Sequence, residues 1–231
     1  MRYLLLILIL LLPAAVAMAQ NAPQEGVSPL PIGTYEPASN TTARGETSGA
    51  TNVAKSGRTA LLIGAGVQYT DEGEYAEAER AYLRALANDP SDPDTRFNLG
   101  ALYVMMRRYK EASDILNSLA AEFPENSMIQ NNLAWLYATG GEMKNGKLAV
   151  RYAREAILSA PAQPVFWSTL AEAYYVSGQY DEALRALECA IDLLKIQGDP
   201  QKKTAEFEGQ RTKTLRAQQA YKRLLGTDEE K

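Results

Sequence analysis

Very few residues in this chain have the types and spacing that catalysis or metal binding requires. The sequence contains no histidine, the commonest general base and the commonest metal ligand. Gly64-Ala65-Gly66 matches only the start of a dinucleotide-binding fingerprint, because the third glycine and a preceding strand pattern are missing. The acidic turn Asp71-Glu72-Gly73-Glu74 lacks the longer, regular series of oxygen ligands that calcium requires. We therefore predict a non-catalytic protein without a metal or a cofactor.

The single cysteine, Cys189, leaves no second thiol for an internal disulfide or for redox chemistry. Two interpretations remain for it: a thiol tolerated on a solvent-facing position, or a disulfide to a second chain. The overall composition, 46% hydrophobic and 23% charged, is ordinary for a soluble protein with one folded domain and some tail. The formal net charge of -4 argues against a nucleic-acid partner, since such proteins usually have a basic surface.

Four consecutive segments share one pattern with a period of about 34 residues, which indicates stacked helical hairpins. The segments are residues 59–92, 93–126, 127–163 and 164–197. Each has a small residue and a tyrosine in its first half and a small residue in its second half. These positions are Gly66, Gly100, Ala134 and Ala171; Tyr69, Tyr103, Tyr137 and Tyr174; and Ala78, Ala112, Ala149 and Ala183. Small residues allow two helices to approach closely, and the tyrosines add buried apolar area between them. Each of the first three segments closes with a proline: Pro90, Pro124 and Pro161.

This pattern resembles that of the tetratricopeptide repeat (TPR) family over all four segments. The resemblance implies an all-α superhelix, or α-solenoid, of four helix-turn-helix repeats. The third segment is longer by three residues, which lie between its helices within 139–146. We interpret them as a tolerated longer turn and not as a functional loop. The fourth segment has Lys195 in place of the closing proline, so we expect its second helix to continue to Gly198.

The resemblance also implies that the first helix of each repeat lines a concave groove that binds a protein or peptide segment. The groove positions are Ile63, Val67, Phe97, Asn98, Ala101, Met105, Asn131, Asn132, Trp135, Ala138, Ser168, Thr169, Glu172 and Tyr175. Asparagine amides can donate to and accept from a peptide backbone. Phe97, Trp135 and Tyr175 are the kind of side chain that dominates interface energies. For Asn98 and Asn132, hydrogen bonding within the fold is the alternative.

The sequence can be checked for the residues that bind one known ligand of the family. Some TPR domains clamp the terminal carboxylate of chaperones with lysines and an arginine in the groove. The corresponding positions here are Ile63, Val67, Asn98, Met128 and Asn132, of which only Asn98 fits. We therefore expect no chaperone carboxylate clamp.

The N-terminal residues 1–19 have a positive start, an apolar run and an Ala-x-Ala pattern at 17–19, which predict a signal peptide. The protein is then exported: periplasmic in a bacterium and secreted otherwise. An uncleaved segment that anchors the repeats to a membrane is the alternative. Residues 20–58 are rich in Pro, Gly, Ser and Thr and predict a disordered linker. Within it, the stretch 30–35 (Leu-Pro-Ile-Gly-Thr-Tyr) is either a short linear motif for a partner or plain linker.

Residues 198–225 predict a helix that caps the last repeat, because a repeat array otherwise exposes an apolar end. Its basic residues leave a membrane-surface or partner-binding helix as the alternative. A short polar tail, 226–231, follows. We predict a protein-binding scaffold outside the cytoplasm, with an assembly factor of an envelope complex (pilus, secretion or outer-membrane machinery) as the alternative. Self-association through the ends of the array is also open.

Overall fold

The computed structural model describes residues 49–198 and 201–225, and the side chains of 57–198 and 204–225. The predicted signal peptide, the linker up to residue 48 with its stretch 30–35, and the polar tail lie outside these residues. The chain divides into two compact units, with the boundary between Pro161 and Ala162.

The described residues form nine α-helices and one short 3-10 helix, and none of them lies in a strand. The first unit contains α1 (Gly49–Asp71), α2 (Tyr75–Asn88), α3 (Pro93–Met105), α4 (Tyr109–Glu122), α5 (Ser127–Thr139), the 3-10 helix (Gly141–Met143) and α6 (Gly146–Ser159). The second unit contains α7 (Pro164–Val176), α8 (Tyr180–Gln197) and α9 (Gln201–Leu225). The predicted all-α repeat fold is therefore confirmed for the part of the chain that the structure describes.

The first helices of the second and third repeats begin at side chains that cap them. An Asp92 carboxylate oxygen accepts from the backbone N–H of Thr95 at 2.7 Å. The Asn126 side-chain oxygen accepts from the N–H groups of Met128 at 3.0 Å and Ile129 at 3.1 Å. These donors have no partner inside the helix, and capping one stabilises a helix by about 1 kcal/mol.

The turn between the two helices of each repeat is closed by one recurring backbone bond. The N–H groups of Glu74, Arg108 and Gln179 donate to the carbonyls of Tyr69, Tyr103 and Tyr174 at 2.8, 2.8 and 2.9 Å. The residue before each donor has a left-handed conformation: φ is 78° at Gly73, 60° at Arg107 and 73° at Gly178. This is the usual way for a helix to end, and it favours glycine because a side chain is strained there. Arg107 therefore occupies a position for which the other two repeats use glycine.

The longer turn of the third repeat keeps the same closing bond. Its Tyr137 carbonyl accepts from the N–H of Asn145 at 2.8 Å, three residues further along than in the other repeats. The extra residues form the 3-10 helix Gly141–Met143. The insertion is thus accommodated within the turn, and α5 and α6 remain packed together.

The first unit is held together by pairs of adjacent helices. The pairs α1–α2, α3–α4 and α5–α6 pack within repeats, α2–α3 and α4–α5 pack between repeats, and α3 also contacts α1 and α5. Tyr82, Leu116 and Leu133 are fully buried in this unit. A Cβ placed on Gly66 would stand 2.7 Å from Cζ of Tyr82, so the glycine is what allows α1 to approach α2.

In the second unit, α8 packs against both α7 and α9. Leu187 of α8 and Phe207 of α9 are buried, and α8 ends at Gly198, whose φ is 70°. An apolar side chain of α9 thus enters the core of this unit. The predicted capping helix is confirmed as part of the fold.

The first helix begins earlier than the sequence indicated. α1 starts at Gly49, so residues 49–58, which the sequence assigned to the linker, are helical. Gly49, Thr51, Asn52 and Gly57 have low helix propensity, which is why composition alone placed this stretch in the linker.

Candidate functional site

The inner helices of the first unit, α1, α3 and α5, carry most of the positions that the TPR resemblance assigned to a binding groove. Phe97, Asn98, Ala101, Asn131, Asn132, Trp135 and Ala138 are buried, and Ile63, Val67 and Met105 are partly exposed. Since α3 contacts both α1 and α5, these side chains lie on neighbouring helices of one unit.

Three asparagines at these positions are buried without hydrogen-bond partners among the described residues. Asn98, Asn131 and Asn132 are between 0% and 1% exposed. Neither the amide nitrogen nor the amide oxygen of any of the three has a partner in the part of the chain that the structure describes. A buried polar group left unpaired costs about 1–3 kcal/mol. Pairing both ends of such an amide requires a group that supplies a donor and an acceptor, as a peptide backbone does at almost every residue.

Apolar side chains flank these amides. Phe97 is fully buried and Trp135 is 6% exposed, and each stands next to an asparagine or three residues from one on the same helix. None of the groove positions of the first unit carries a charge. A charged group brought against such a surface would lose hydration without gaining an ion pair.

The asparagines recur at one position of the repeat. Asn98 and Asn132 are 34 residues apart and hold the same place in the second and third repeats. In the second unit the equivalent residue is Thr169, whose hydroxyl is also buried without a partner among the described residues. Gly64 holds this place in the first repeat and offers no side chain. Three of the four repeats thus present a buried polar side chain at one position.

The remaining predicted groove residues of the second unit are engaged by α9. Ser168 donates to the side-chain oxygen of Gln210 at 2.9 Å, and the Gln210 amide nitrogen donates to a Glu172 carboxylate oxygen at 3.1 Å. Lys213 forms an ion pair with the Glu172 carboxylate at 3.2 Å, although Glu172 is only 2% exposed. Removal of the lysine would leave a buried carboxylate without its ion-pair partner, so this contact fixes α9 on α7.

Tyr175 also faces the capping helix. The Lys213 ammonium lies 4.1 Å from the centre of the Tyr175 ring, a favourable cation–π distance. Burial, followed by the nearby Glu172 carboxylate, raises the pKa of Tyr175 to about 12. Glu172 and Tyr175 thus both contact α9, and whether they also contact a ligand stays a prediction.

Two charged clusters in the first unit could not be found by sequence reasoning. Arg108 forms an ion pair with Glu79 at 2.6 Å, and the Tyr103 hydroxyl donates to the same carboxylate at 2.9 Å. Burial, followed by the hydrogen bond to Glu79, raises the pKa of Tyr103 to about 12. Arg96 forms an ion pair with Glu122 at 2.7 Å. The paired residues of both clusters are 24 to 29 positions apart in the chain, and no local pattern marks them.

The described residues contain no group of three or more His, Cys, Asp and Glu side chains that could hold a metal ion. None of the helices in the described part of the chain is both long and apolar enough to cross a membrane. Cys189 is exposed on α8, and its predicted alternatives, a tolerated thiol or a disulfide to a second chain, stay open.

Comparison with known proteins supports the assignment of the repeats. Residues 69–136 match the family model described as tetratricopeptide repeat. A crystal structure of a thermophilic TPR protein from Thermus thermophilus is 19% identical, covers 74% of this chain and 93% of that chain, and gives a TM-score of 0.56. The crystal structure of the APC/C hetero-tetramer Cut9-Hcn1 gives a TM-score of 0.59 at 14% identity, over 74% of this chain and 32% of that chain. No curated protein matches significantly. At these identities the two structures show a shared fold and nothing about a ligand.

Proposed function

We propose that this chain, whose residues 69–136 match the tetratricopeptide repeat model, is a non-catalytic scaffold that binds a protein or peptide segment through α3 and α5. Proteins with the TPR fold typically mediate protein–protein interactions. Our proposal adds where on the chain the ligand binds and what chemical character the ligand has.

The observation that carries this proposal is the set of buried amides without partners. Asn98 and Asn132 hold the same position in successive repeats, and neither has a hydrogen-bond partner within the described part of the chain. A fold that is stable by only about 5–15 kcal/mol does not gain from buried unpaired amides. Because Asn98 and Asn132 are buried, a ligand reaches their amides only when the groups that cover them move aside. A ligand backbone that then pairs with the amides recovers this cost, so the amides contribute to the affinity and to the register of the ligand.

The side chains around the amides indicate the character of the ligand. Phe97 and Trp135 offer aromatic surface, and Met105 offers a partly exposed thioether that adapts to different shapes. The absence of charge among the groove positions of the first unit disfavours an acidic terminus or a basic motif as the central contact. We therefore propose an uncharged segment in extended conformation, with apolar residues flanking backbone groups that pair with the asparagines.

The test is a crosslinking pull-down from extracts of the source cells with the wild-type chain and with the double variant Asn98→Ala/Asn132→Ala. These substitutions remove unpaired polar atoms but leave two small cavities, and the two effects on stability oppose each other. The melting temperature of the double variant is therefore measured alongside, to show that it remains folded at the temperature of the pull-down. Trp135→Ala is a poorer choice, because truncation of a buried tryptophan typically costs about 3–5 kcal/mol. We expect the wild type to capture a partner that the double variant loses.

Asn117→Ala provides the matched control. Asn117 lies on α4 of the same unit, is exposed, and donates to the Ser113 carbonyl at 2.8 Å. It removes one amide outside the proposed surface and should leave capture unchanged. Equal capture by all three proteins would contradict the proposed surface and would place partner binding elsewhere on the chain.

We also propose that the protein acts outside the cytoplasm, supported by the signal-like composition of residues 1–19. N-terminal sequencing of the protein isolated from its source tests this directly. A mature chain that starts at Gln20 is the expected result. Retention of Met1 would contradict cleavage and would favour the anchored alternative.

A further inference from the structure

We propose that two copies of this chain associate through one exposed face of α1 and form a symmetric dimer in which the two α1 helices are antiparallel. The residues of this face, called the α1 stripe, are Gly57, Leu61, Gly64 and Gln68, whose spacing places them on one side of the helix. All four are exposed. This surface differs from the one on α3 and α5, so the dimer does not depend on the proposed function.

The same positions in the later repeats of the first unit show what this side of a first helix contacts. The residues equivalent to Leu61 and Gln68 in the second and third repeats are Thr95, Leu102, Ile129 and Leu136. All four are 0% exposed, and the helices that carry them, α3 and α5, pack against the second helix of the preceding repeat. No repeat precedes α1 within the described residues, and Leu61 is 77% exposed. The α1 stripe is therefore an inter-repeat face without the helices that cover the equivalent faces.

Position in the repeat distinguishes Leu61 from other exposed leucines. A single exposed leucine is ordinary on a protein surface, and Leu158 on α6 is 83% exposed. The residues equivalent to Leu158 in the other repeats are exposed as well: they are Ala87, Ala121 and Asp192. Leu158 thus occupies a position that faces solvent in every repeat, whereas the position of Leu61 is buried in the two repeats that follow. Of the two leucines, Leu61 is the one that lies where an apolar contact is expected.

The α1 stripe is complementary to itself. A Cβ placed on Gly57 or on Gly64 would meet no atom within 4 Å, so both glycines leave open notches beside the larger side chains. The pairs Leu61–Gly64 and Gly57–Gln68 are centred on the same point of α1, between residues 62 and 63. A two-fold axis through that point places each Leu61 over the Gly64 of the other copy, and each Gln68 over its Gly57. An interface between two identical faces requires this kind of self-complementarity.

Charge and the surface of α9 favour a closed pair over an open assembly of copies. The α1 stripe carries no charge, so two copies bring no like charges together there. In the second unit, α9 packs on α8 and presents the polar side chains of Glu208, Thr212 and Arg216 to solvent. Head-to-tail stacking would need an apolar face there to receive the α1 stripe, and it would continue into an open chain of copies. Pairing of α1 with α1 uses the same face on both copies and closes after two.

The first test is sedimentation equilibrium from low to high micromolar concentration, with protein purified from source cells that express the wild-type chain, Leu61→Lys or Leu158→Lys. Leu61→Lys removes two leucines from the dimer interface and brings two ammonium groups together, so we expect the dimer dissociation constant to rise on the order of 100-fold. Leu158→Lys makes the same change at a similarly exposed position of the same unit and should leave the dissociation constant unchanged. Because Leu61 is exposed in the single chain, circular dichroism should show the same helix content in all three proteins.

Four results of this experiment would overturn the proposed dimer. A wild-type chain that is monomeric at every concentration would leave the α1 stripe to another part of the chain or to a different protein. Equal dimerisation of the wild type and Leu61→Lys would place the contact between copies elsewhere. Equal weakening by Leu61→Lys and Leu158→Lys would show a general effect of added charge. Species that grow beyond the dimer with concentration would show head-to-tail association.

The second test determines the register of the two helices by disulfide crosslinking in chains that also carry Cys189→Ser, so that the exposed native thiol does not react. Chains with Leu61→Cys are mixed with chains with Gly64→Cys under a mild oxidant, because the proposed pairing brings these two positions of different copies face to face. We expect the mixture to form crosslinked dimers faster than either variant alone, and faster than Leu61→Cys mixed with Leu158→Cys. Faster crosslinking of either variant alone, or no preference for the mixture, would refute the antiparallel pairing.

Discussion

The two glycines of α1 offer a direct test of how closely the helices of the first repeat approach each other. A Cβ added at Gly66 would stand 2.7 Å from Cζ and 2.8 Å from Cδ1 of Tyr82. Tyr82 is fully buried, so its ring cannot move aside without disturbing the core. Two residues earlier on the same helix, a Cβ added at Gly64 would meet no atom within 4 Å. The pair Gly66→Ala and Gly64→Ala therefore differs in steric cost alone.

The magnitude follows from two opposing contributions. Replacing a glycine with alanine inside a helix stabilises it by about 0.5–1 kcal/mol, and both variants gain this contribution. Overpacking a well-filled core costs about 1–3 kcal/mol, and only Gly66→Ala bears this cost. We expect Gly64→Ala to be more stable than the wild type and Gly66→Ala to be less stable than Gly64→Ala by about 1–3 kcal/mol. For a chain of this length that difference corresponds to a few degrees in Tm or more.

Urea denaturation followed by circular dichroism at 222 nm measures the free energies of unfolding of the three proteins. The dependence on urea concentration is fitted with the slope m left free, because repeat proteins can lose a terminal repeat first and the slope then falls. Equal stabilisation in both variants would refute the reasoning. It would show that α1 and α2 are farther apart than the Gly66–Tyr82 contact indicates.

Two further substitutions test local features of the fold. Arg107→Gly should stabilise the protein by about 0.5–1 kcal/mol in urea denaturation, because Arg107 has a φ of 60° that strains a side chain; the reverse change at the equivalent turn, Gly178→Arg, should destabilise it. Burial first, and the Asp92 carboxylate second, raise the pKa of Asp94 to about 6, whereas in the unfolded chain it is near 4. As the pH rises, the unfolded state therefore loses this proton first, and the free energy of unfolding falls between pH 4 and pH 6. Asp94→Asn should stabilise the protein at pH 7 by roughly 1 kcal/mol, after allowance for solvent screening, and should have no such effect at pH 4. A gain from Asp94→Asn that is equal at both pH values, or an Arg107→Gly protein less stable than wild type, would contradict these explanations.

The sequence predicted the elements of the fold well because the repeat encodes them locally. The small residue at Gly66 and the tyrosine at Tyr69 mark the first helix of a repeat, and the tyrosine carbonyl closes the turn in the structure. The three extra residues of the third repeat were placed in its turn for the same reason. The predicted boundary of the linker at residue 58 was wrong, because α1 begins at Gly49. The weak helix formers in residues 49–58 conceal this extension of the first helix.

Contacts between distant residues explain what the sequence could not predict. The repeat position places Glu172 on the inner face of α7, yet its partners Gln210 and Lys213 come from α9, about 40 residues later. The same holds for Arg96 and Glu122 in the first unit. A periodic pattern specifies which face a side chain occupies. It does not specify which element from elsewhere in the chain covers that face.

The inner faces of the two units differ in whether their buried polar groups are paired. In the second unit, α9 supplies hydrogen bonds to Ser168 and Glu172, so the polar groups of that face are largely satisfied by the chain itself. In the first unit, Asn98 and Asn132 are equally buried, but their amides have no hydrogen-bond partner among the residues that the structure describes. Binding energy is available where polar groups remain to be paired, since a satisfied group gains nothing from a second partner of equal quality. This difference is the reason why we propose the first unit as the site of recognition, whereas α9 completes the second.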